Sequence, residues 1–99
     1  LDKNKNLWIA HYHGACVSVL NKSAKLIHRI NLPAQNITNC AFGGQNINEV
    51  FITSATKGMN KTALQKFKYS GFLFSVKSNI KGLLQKKFIL KDAKKRSLL

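Results

Sequence analysis

The sequence predicts an all-β fold made of short antiparallel strands. Apolar and polar side chains alternate over short runs, turn clusters rich in Asn, Gly and Lys separate the runs at near-regular spacing, and only one brief segment carries a helical period.

Residues 7–12 alternate after the turn-like Asp2-Lys3-Asn4-Lys5-Asn6 and form the first expected strand. Gly14 breaks it, residues 16–20 follow, and Asn21-Lys22-Ser23-Ala24-Lys25 turns the chain into a strand over 26–32. In that strand Leu26, His28, Ile30 and Leu32 share one face, and Pro33 ends it because proline cannot donate to a ladder. After Gln35-Asn36 come a strand over 37–42, a Gly43-Gly44-Gln45-Asn46 turn suited to positive backbone dihedrals, and a strand over 49–55. Residues 72–76 and 86–90 are the last two expected strands. Between 59 and 69, Ala63, Leu64 and Phe67 fall on one side of a helical turn with Asn60 placed as its N-cap.

With 99 residues and 44% hydrophobic content, the chain can build at most one small domain, provided nearly every apolar strand face finds a partner. It opens at Leu1 and meets an apolar run almost at once, as a piece of a longer protein would. No run reaches the ~20 apolar residues that span a bilayer, and no leader pattern precedes residue 7. A soluble, cytoplasmic protein with no membrane partner is the expectation. Cys16 and Cys40 each sit inside an apolar run, which favours buried free thiols over a disulfide.

The formal charge of +14 comes from 17 Lys and Arg against Asp2, Glu49 and Asp92. Such an excess raises nucleic acid or an anionic surface as a partner. The lysines are scattered, however, except for Lys86-Lys87 and the run from Lys91 to Arg96, and only two of the cations are arginines, which can grip phosphate or bases bidentately. Nucleic acid is therefore not the expected partner. Residues 91–99 read as a basic, unstructured tail.

An Asn-containing turn precedes an apolar strand twice, at Lys5-Asn6 before Leu7-Trp8-Ile9-Ala10 and at Asn46-Ile47-Asn48 before Val50-Phe51-Ile52-Thr53. The two starts lie about one β-propeller blade apart. By periodicity alone, a piece of a sandwich would fit equally well.

Likeness of short words separates these architectures. Leu1-Asp2 through Ala10, Leu32-Pro33, Thr38-Asn39-Cys40-Ala41-Phe42-Gly43-Gly44 and Val50-Phe51-Ile52-Thr53-Ser54-Ala55 occur in order, followed by Gly58-Met59, Gly71, Leu73-Phe74 and Lys81-Gly82. Together they resemble the gluconolactonase/regucalcin family, also called senescence-marker-protein lactonases. The resemblance implies a C-terminal fragment, about one and a half to two blades, of a six-bladed β-propeller. Residues 1–90 would be those blades. Trp8, Phe42, Phe51 and Phe74 would fill the layer between blade sheets. The chain departs from the family pattern at Ala15-Cys16, at Phe67-Lys68 and at Ser70-Gly71-Phe72, which puts substrate preference in question more than the fold.

The resemblance further implies hydrolysis of a small-molecule sugar lactone with a divalent metal ion, calcium or zinc, in the central channel of the intact protein. The family holds that ion with a Glu, an Asn and an Asp from different blades, and the Asp stands upstream of the position matched by Leu1-Asp2. No metal ligand and no catalytic residue is carried over, and no cofactor is expected in this chain by itself. Blade geometry brings the end of the first strand and the start of the fourth toward the pocket mouth, making His11, His13, Thr38 and Asn39 the candidate rim residues.

Other chemistries fit poorly. His11, His13, Cys16, His28 and Cys40 invite a zinc site, but neither cysteine has a nearby ligand partner in sequence. Three scattered acidic residues leave no Ser-His-Asp arrangement. A partial propeller would expose open sheet edges, through which self-association is expected. The competing reading is a non-catalytic basic module that binds nucleic acid or acidic lipid, and it predicts binding to the chain that falls steeply with salt. A lactonase-type fold predicts absent or salt-insensitive binding in the same titration.

Overall fold

The computed structural model describes residues 1–83. The strand expected over 86–90 and the basic tail over 91–99 lie outside the described residues.

Two three-stranded antiparallel sheets account for nearly all the regular structure. The first has the order β1-β2-β3, with β1 at Leu7–His11, β2 at Cys16–Leu20 and β3 at Leu26–Asn31. The second has the order β4-β5-β6, with β4 at Asn36–Gly43, β5 at Glu49–Ala55 and β6 at Phe74–Lys77. A short helix, α1 (Lys61–Lys66), starts at Asn60, whose side-chain oxygen accepts the Ala63 N–H at 2.9 Å. It buries none of its residues and is held by its cap rather than by packing.

Strand alternation decides which side chains meet between the sheets. In the first sheet, Trp8 stands opposite Val19, and Ala10 opposite Val17, which in turn faces Ile30. In the second, Phe42 pairs with Val50 and Cys40 with Ile52, backed by Val76 and Phe74. Packing β4 against β1 and β2 brings these rows together around a buried core of Val17, Leu32, Ala34, Ile37, Val50 and Ile52. Trp8 meets Phe42 edge to face, with ring centroids 4.9 Å apart.

Phe51 corrects the expected aromatic layer. Its strand neighbours Val50 and Ile52 are the buried pair, so period-two alternation puts it on the opposite face, where it lies over Gly43. A Cβ on Gly43 would come within 2.9 Å of the Phe51 ring. A second departure lies in β3. A register shift between Val19 and Leu20 sets Leu20 opposite Leu26 and Val19 opposite His28, so the face expected to run unbroken from Leu26 is interrupted, and Leu26 is left exposed.

The entry to β1 is organised by Asp2, which is fully buried. One carboxylate oxygen accepts the backbone N–H groups of Asn4 and Asn6 at 2.9 and 3.0 Å. The other accepts the Asn6 side-chain amide at 3.0 Å and the Trp8 indole N–H at 2.9 Å. Burial alone would raise the carboxyl's pKa, but the hydrogen bonds from Trp8, Asn6 and Asn4 outweigh it and hold the group below the usual carboxylate range. The segment after β6 crosses the same corner. Asp2 pairs with Gly82, the Lys3 N–H donates to the Lys81 carbonyl at 2.7 Å, and the Gly82 N–H donates to Ile47 at the same distance. Only glycine fits there, since a Cβ on Gly82 would fall 2.3 Å from Phe42.

Both cysteines are free thiols, as expected from their apolar settings. Cys16 is buried, and burial pushes the half-buried Cys40 thiol above its ordinary range.

Two outcomes follow. Asp2→Asn places an N–H₂ among four donors and should cost about 1–3 kcal/mol at neutral pH in urea melts; a midpoint equal to wild type would contradict this role for Asp2. Because the folded pKa is depressed, the contribution is complete above the unfolded carboxylate value of about 3.9 and is lost as pH falls through the folded value. The wild type should therefore lose stability on acidification below about pH 4 more steeply than the Asn variant. The thiols should label slowly with a neutral-pH disulfide reagent until the protein is unfolded, and rapid labelling of Cys40 in the native state would contradict its placement.

Candidate functional site

Antiparallel connectivity sorts the loops between two ends of the molecule. One end collects the β1–β2 turn, the β3–β4 connection and the long β5–β6 loop. The other collects the segment before β1, the β2–β3 and β4–β5 turns and the chain after β6.

At the first end the three loops are fastened to one another through backbone. The β1–β2 turn tightens with the Gly14 N–H donating to the His11 carbonyl at 3.1 Å, and both His13 and Ala15 take left-handed conformations, with φ of 68° and 53°. Ala15 then bonds in two directions: its N–H donates to the Gln35 carbonyl at 3.0 Å, and its carbonyl accepts from Leu32 at 2.9 Å. Gln35 also reaches the third loop, donating its N–H to the Ser70 hydroxyl at 3.2 Å, while Tyr69 donates to the Pro33 carbonyl at 3.1 Å. Next to it, Asn36 is fully buried. Its amide nitrogen donates to the Lys57 carbonyl at 3.1 Å, and its amide oxygen is the one buried side-chain nitrogen or oxygen without a partner among the described residues.

The four residues singled out from sequence fall into different settings. His13 is exposed, its Nδ1 is 2.9 Å from the Gln35 side-chain nitrogen, and the Tyr12 ring stands edge-on to it at 4.8 Å. His11 is half-buried and turned back on its own sheet, with Nε2 2.8 Å from the Ser18 hydroxyl. Thr38 and Asn39 are exposed at a register irregularity of β4. There Thr38 shares a 2.7 Å hydrogen bond with Thr53, and the Asn39 side chain accepts from the Cys40 N–H at 2.8 Å. His13 is thus joined to Gln35, while the hydrogen bonds of the other three stay within their own sheets. Gln35 escaped the sequence reading because a lone polar residue between Pro33 and a strand carries no spacing signal of its own.

The described residues do not fit a divalent ion. No three His, Cys, Asp or Glu side chains converge among them. Of the two acidic residues described, Asp2 has its oxygens taken by four donors, and Glu49 sits at the far end, accepting from the Ser75 hydroxyl. Of the zinc alternative only His11 and Cys16 stand opposite each other, no third ligand joins them among the described residues, and His28 lies in the wall of an apolar crevice of about 250 Å³ between the sheets. The described lysines form no single basic face, since Lys3, Lys5, Lys22, Lys25, Lys77 and Lys81 lie toward the far end and Lys57, Lys61, Lys66 and Lys68 on the loop at the first end.

Comparison with known proteins adds a family and a fold. A family described as SMP-30/Gluconolactonase/LRE-like region matches residues 1–56. Regucalcin of Danio rerio is 35% identical over 85 residues, covering 84% of this chain and 29% of the relative. A protein described as a putative sugar lactone lactonase, YvrE of Bacillus subtilis strain 168, is 36% identical over 76 residues, covering 76% of this chain and 26% of the relative. The crystal structure of a calcium-binding protein, regucalcin, from Agrobacterium tumefaciens superposes with a TM-score of 0.83 at 22% identity, covering 90% of this chain and 30% of that one. A luciferin-regenerating enzyme superposes with a TM-score of 0.72 at 27% identity, covering 84% of this chain and 28% of that one. The chain therefore spans about 30% of the length of the proteins it matches, and its two sheets are blade sheets of a regucalcin-like propeller.

Proposed function

The chain belongs to the SMP-30/gluconolactonase/LRE-like family, and from that premise we propose that the protein to which it contributes hydrolyses a sugar lactone. In this reading the first end of the molecule forms part of the rim of the substrate pocket. The observation that carries the reading is the family match over residues 1–56, supported by the likeness to a protein described as a putative sugar lactone lactonase.

Lactone hydrolysis adds water across the ring ester, breaking the carbonyl carbon to ring oxygen bond and leaving a hydroxy acid. A divalent ion, calcium or zinc, belongs to this reading because the structural relative from Agrobacterium is a calcium-binding protein. Its ligands would come from outside the described residues.

What this chain contributes is binding and orientation. His13 is exposed on a turn whose backbone is tied twice to the β3–β4 connection, so its ring is presented from a fixed base. It is the strongest rim candidate, able to donate a hydrogen bond to a substrate oxygen. Thr38 and Asn39, exposed at the irregularity in β4, are the next. His11 is the weakest of the four, because its ring is engaged by Ser18.

The test is lactone hydrolysis by the intact, metal-loaded protein, followed by pH-stat on glucono-δ-lactone and a panel of related sugar lactones. His13→Ala should raise KM roughly three- to tenfold, the equivalent of one hydrogen bond of about 0.5–1.5 kcal/mol. Unchanged kinetics would remove His13 from the rim. An intact protein inactive on every lactone of the panel would overturn the enzymatic reading itself.

A further inference from the structure

We propose that Gln35 is a positioning residue for His13, fixing its imidazole in the tautomer that carries the proton on Nε2 and so presenting an N–H donor to substrate. The use of that donor rests on the lactonase reading; the tautomer assignment does not.

The inference starts from hydrogen-bond inventory. A glutamine side-chain nitrogen can only donate, and it lies 2.9 Å from Nδ1 of His13. With the amide turned this way, Nδ1 accepts. A neutral imidazole that accepts at Nδ1 holds its single proton on Nε2. Among the described residues Nε2 of His13 has no hydrogen-bond partner, and the side chain is exposed, so the N–H is available to a ligand.

Positioning requires that Gln35 be better anchored than the group it orients. Its backbone is held on both sides, the carbonyl by Ala15 from the β1–β2 turn and the N–H by Ser70 from the β5–β6 loop. Ala34 before it and Asn36 after it are both fully buried. Ser70 is itself buried, so the anchor does not depend on a mobile surface hydroxyl. His13 has the complementary constraints of a left-handed backbone at φ 68° and the edge-on Tyr12 ring. The amide arm reaches from a fixed backbone to one nitrogen of a ring whose plane is restrained by a neighbour.

This arrangement predicts that the two possible replacements at position 35 act differently. Gln35→Ala removes the donor and leaves Nδ1 to water, so the tautomer preference relaxes. Gln35→Glu replaces the donor by an acceptor, which draws the proton to Nδ1 and strips it from Nε2. A merely structural staple between two loops would show no such reversal.

The experiment uses the intact protein with ¹⁵N-labelled histidine, read by long-range ¹H–¹⁵N correlation at pH 8, where neutral imidazoles report their tautomer by nitrogen shift. Wild type should show His13 protonated on Nε2, Gln35→Ala a mixture, and Gln35→Glu protonation on Nδ1. In lactone hydrolysis, Gln35→Ala and Gln35→Glu should raise KM with little change in kcat, and His13→Ala with Gln35→Ala should be no worse than His13→Ala alone, as for residues acting as one unit. A His13 tautomer indifferent to both replacements overturns the proposal, even if His13→Ala impairs hydrolysis. A tautomer that follows residue 35 while His13→Ala leaves KM unchanged upholds the tautomer assignment and removes His13 from the rim, whereas a tautomer that follows residue 35 in a protein inactive on every lactone places the failure on the lactonase reading.

Discussion

The structure depends on a carboxylate that has no solvent and no free lone pair. Asp2 gathers four donors, two from backbone and two from side chains, within six residues of chain. Leaving such donors unmet would cost about 1–3 kcal/mol apiece, so the turn before β1 has one strongly favoured shape. Through the indole N–H, that shape sets the position of Trp8, and Trp8 in turn is the edge-to-face partner of Phe42 on the other sheet. An aromatic pair contributes about 0.5–1.5 kcal/mol beyond its buried area, but here it also relays the geometry of a turn to the contact between two sheets. Gly82 crosses directly over Phe42 and pairs with Asp2, which closes the corner from outside.

Fixing that corner has consequences at the other end. With β4 held against β1 and β2, the three loops opposite the Asp2 corner arrive side by side and satisfy one another's backbone groups. Ala15 and Gln35 carry most of these links, and they hold His13 in a left-handed backbone that residues other than glycine adopt at a cost. A turn with an unusual dihedral and several external hydrogen bonds is a firmer base for a side chain than a free hairpin tip. The exposed imidazole of His13 gains its orientation in this way, at a distance from the core that pays for it.

Much of this was legible in the sequence, for reasons that can be stated residue by residue. Alternation placed β2 and β5 correctly, because each is buried in its sheet and flanked by strong turn residues such as Asn21 and Gly44. Asn60 announced the helix because its side chain alone supplies the cap. What was hidden lay where period two breaks or where long-range partners decide. The shifts between Val19 and Leu20 and between Ile37 and Asn39 change which residues share a face without leaving a compositional mark. The last described strand starts at Phe74 rather than at Phe72, since the Ser54 hydroxyl accepts the Gly71 N–H and donates to the Phe72 carbonyl, taking the groups a ladder would use. Asp2 read as an ordinary turn residue, and Gln35 did not stand out at all. Both roles come from partners that only folding assembles.

The two ends also differ in how their hydrogen-bonding groups are used. An ion-binding hub needs acidic side chains with lone pairs to give, yet Asp2 spends all of its own on the chain's own donors. That carboxylate is worth more as an internal acceptor, where burial and hydrogen bonding keep it ionised, than it would be half-committed to a ligand. At the opposite end amides, hydroxyls and an imidazole bond to one another, beside the lysines of the β5–β6 loop. In the proposed lactonase reading, a blade pair built this way contributes alignment rather than reactivity, in a ring where the groups that perform the chemistry and the groups that present the substrate belong to different blades.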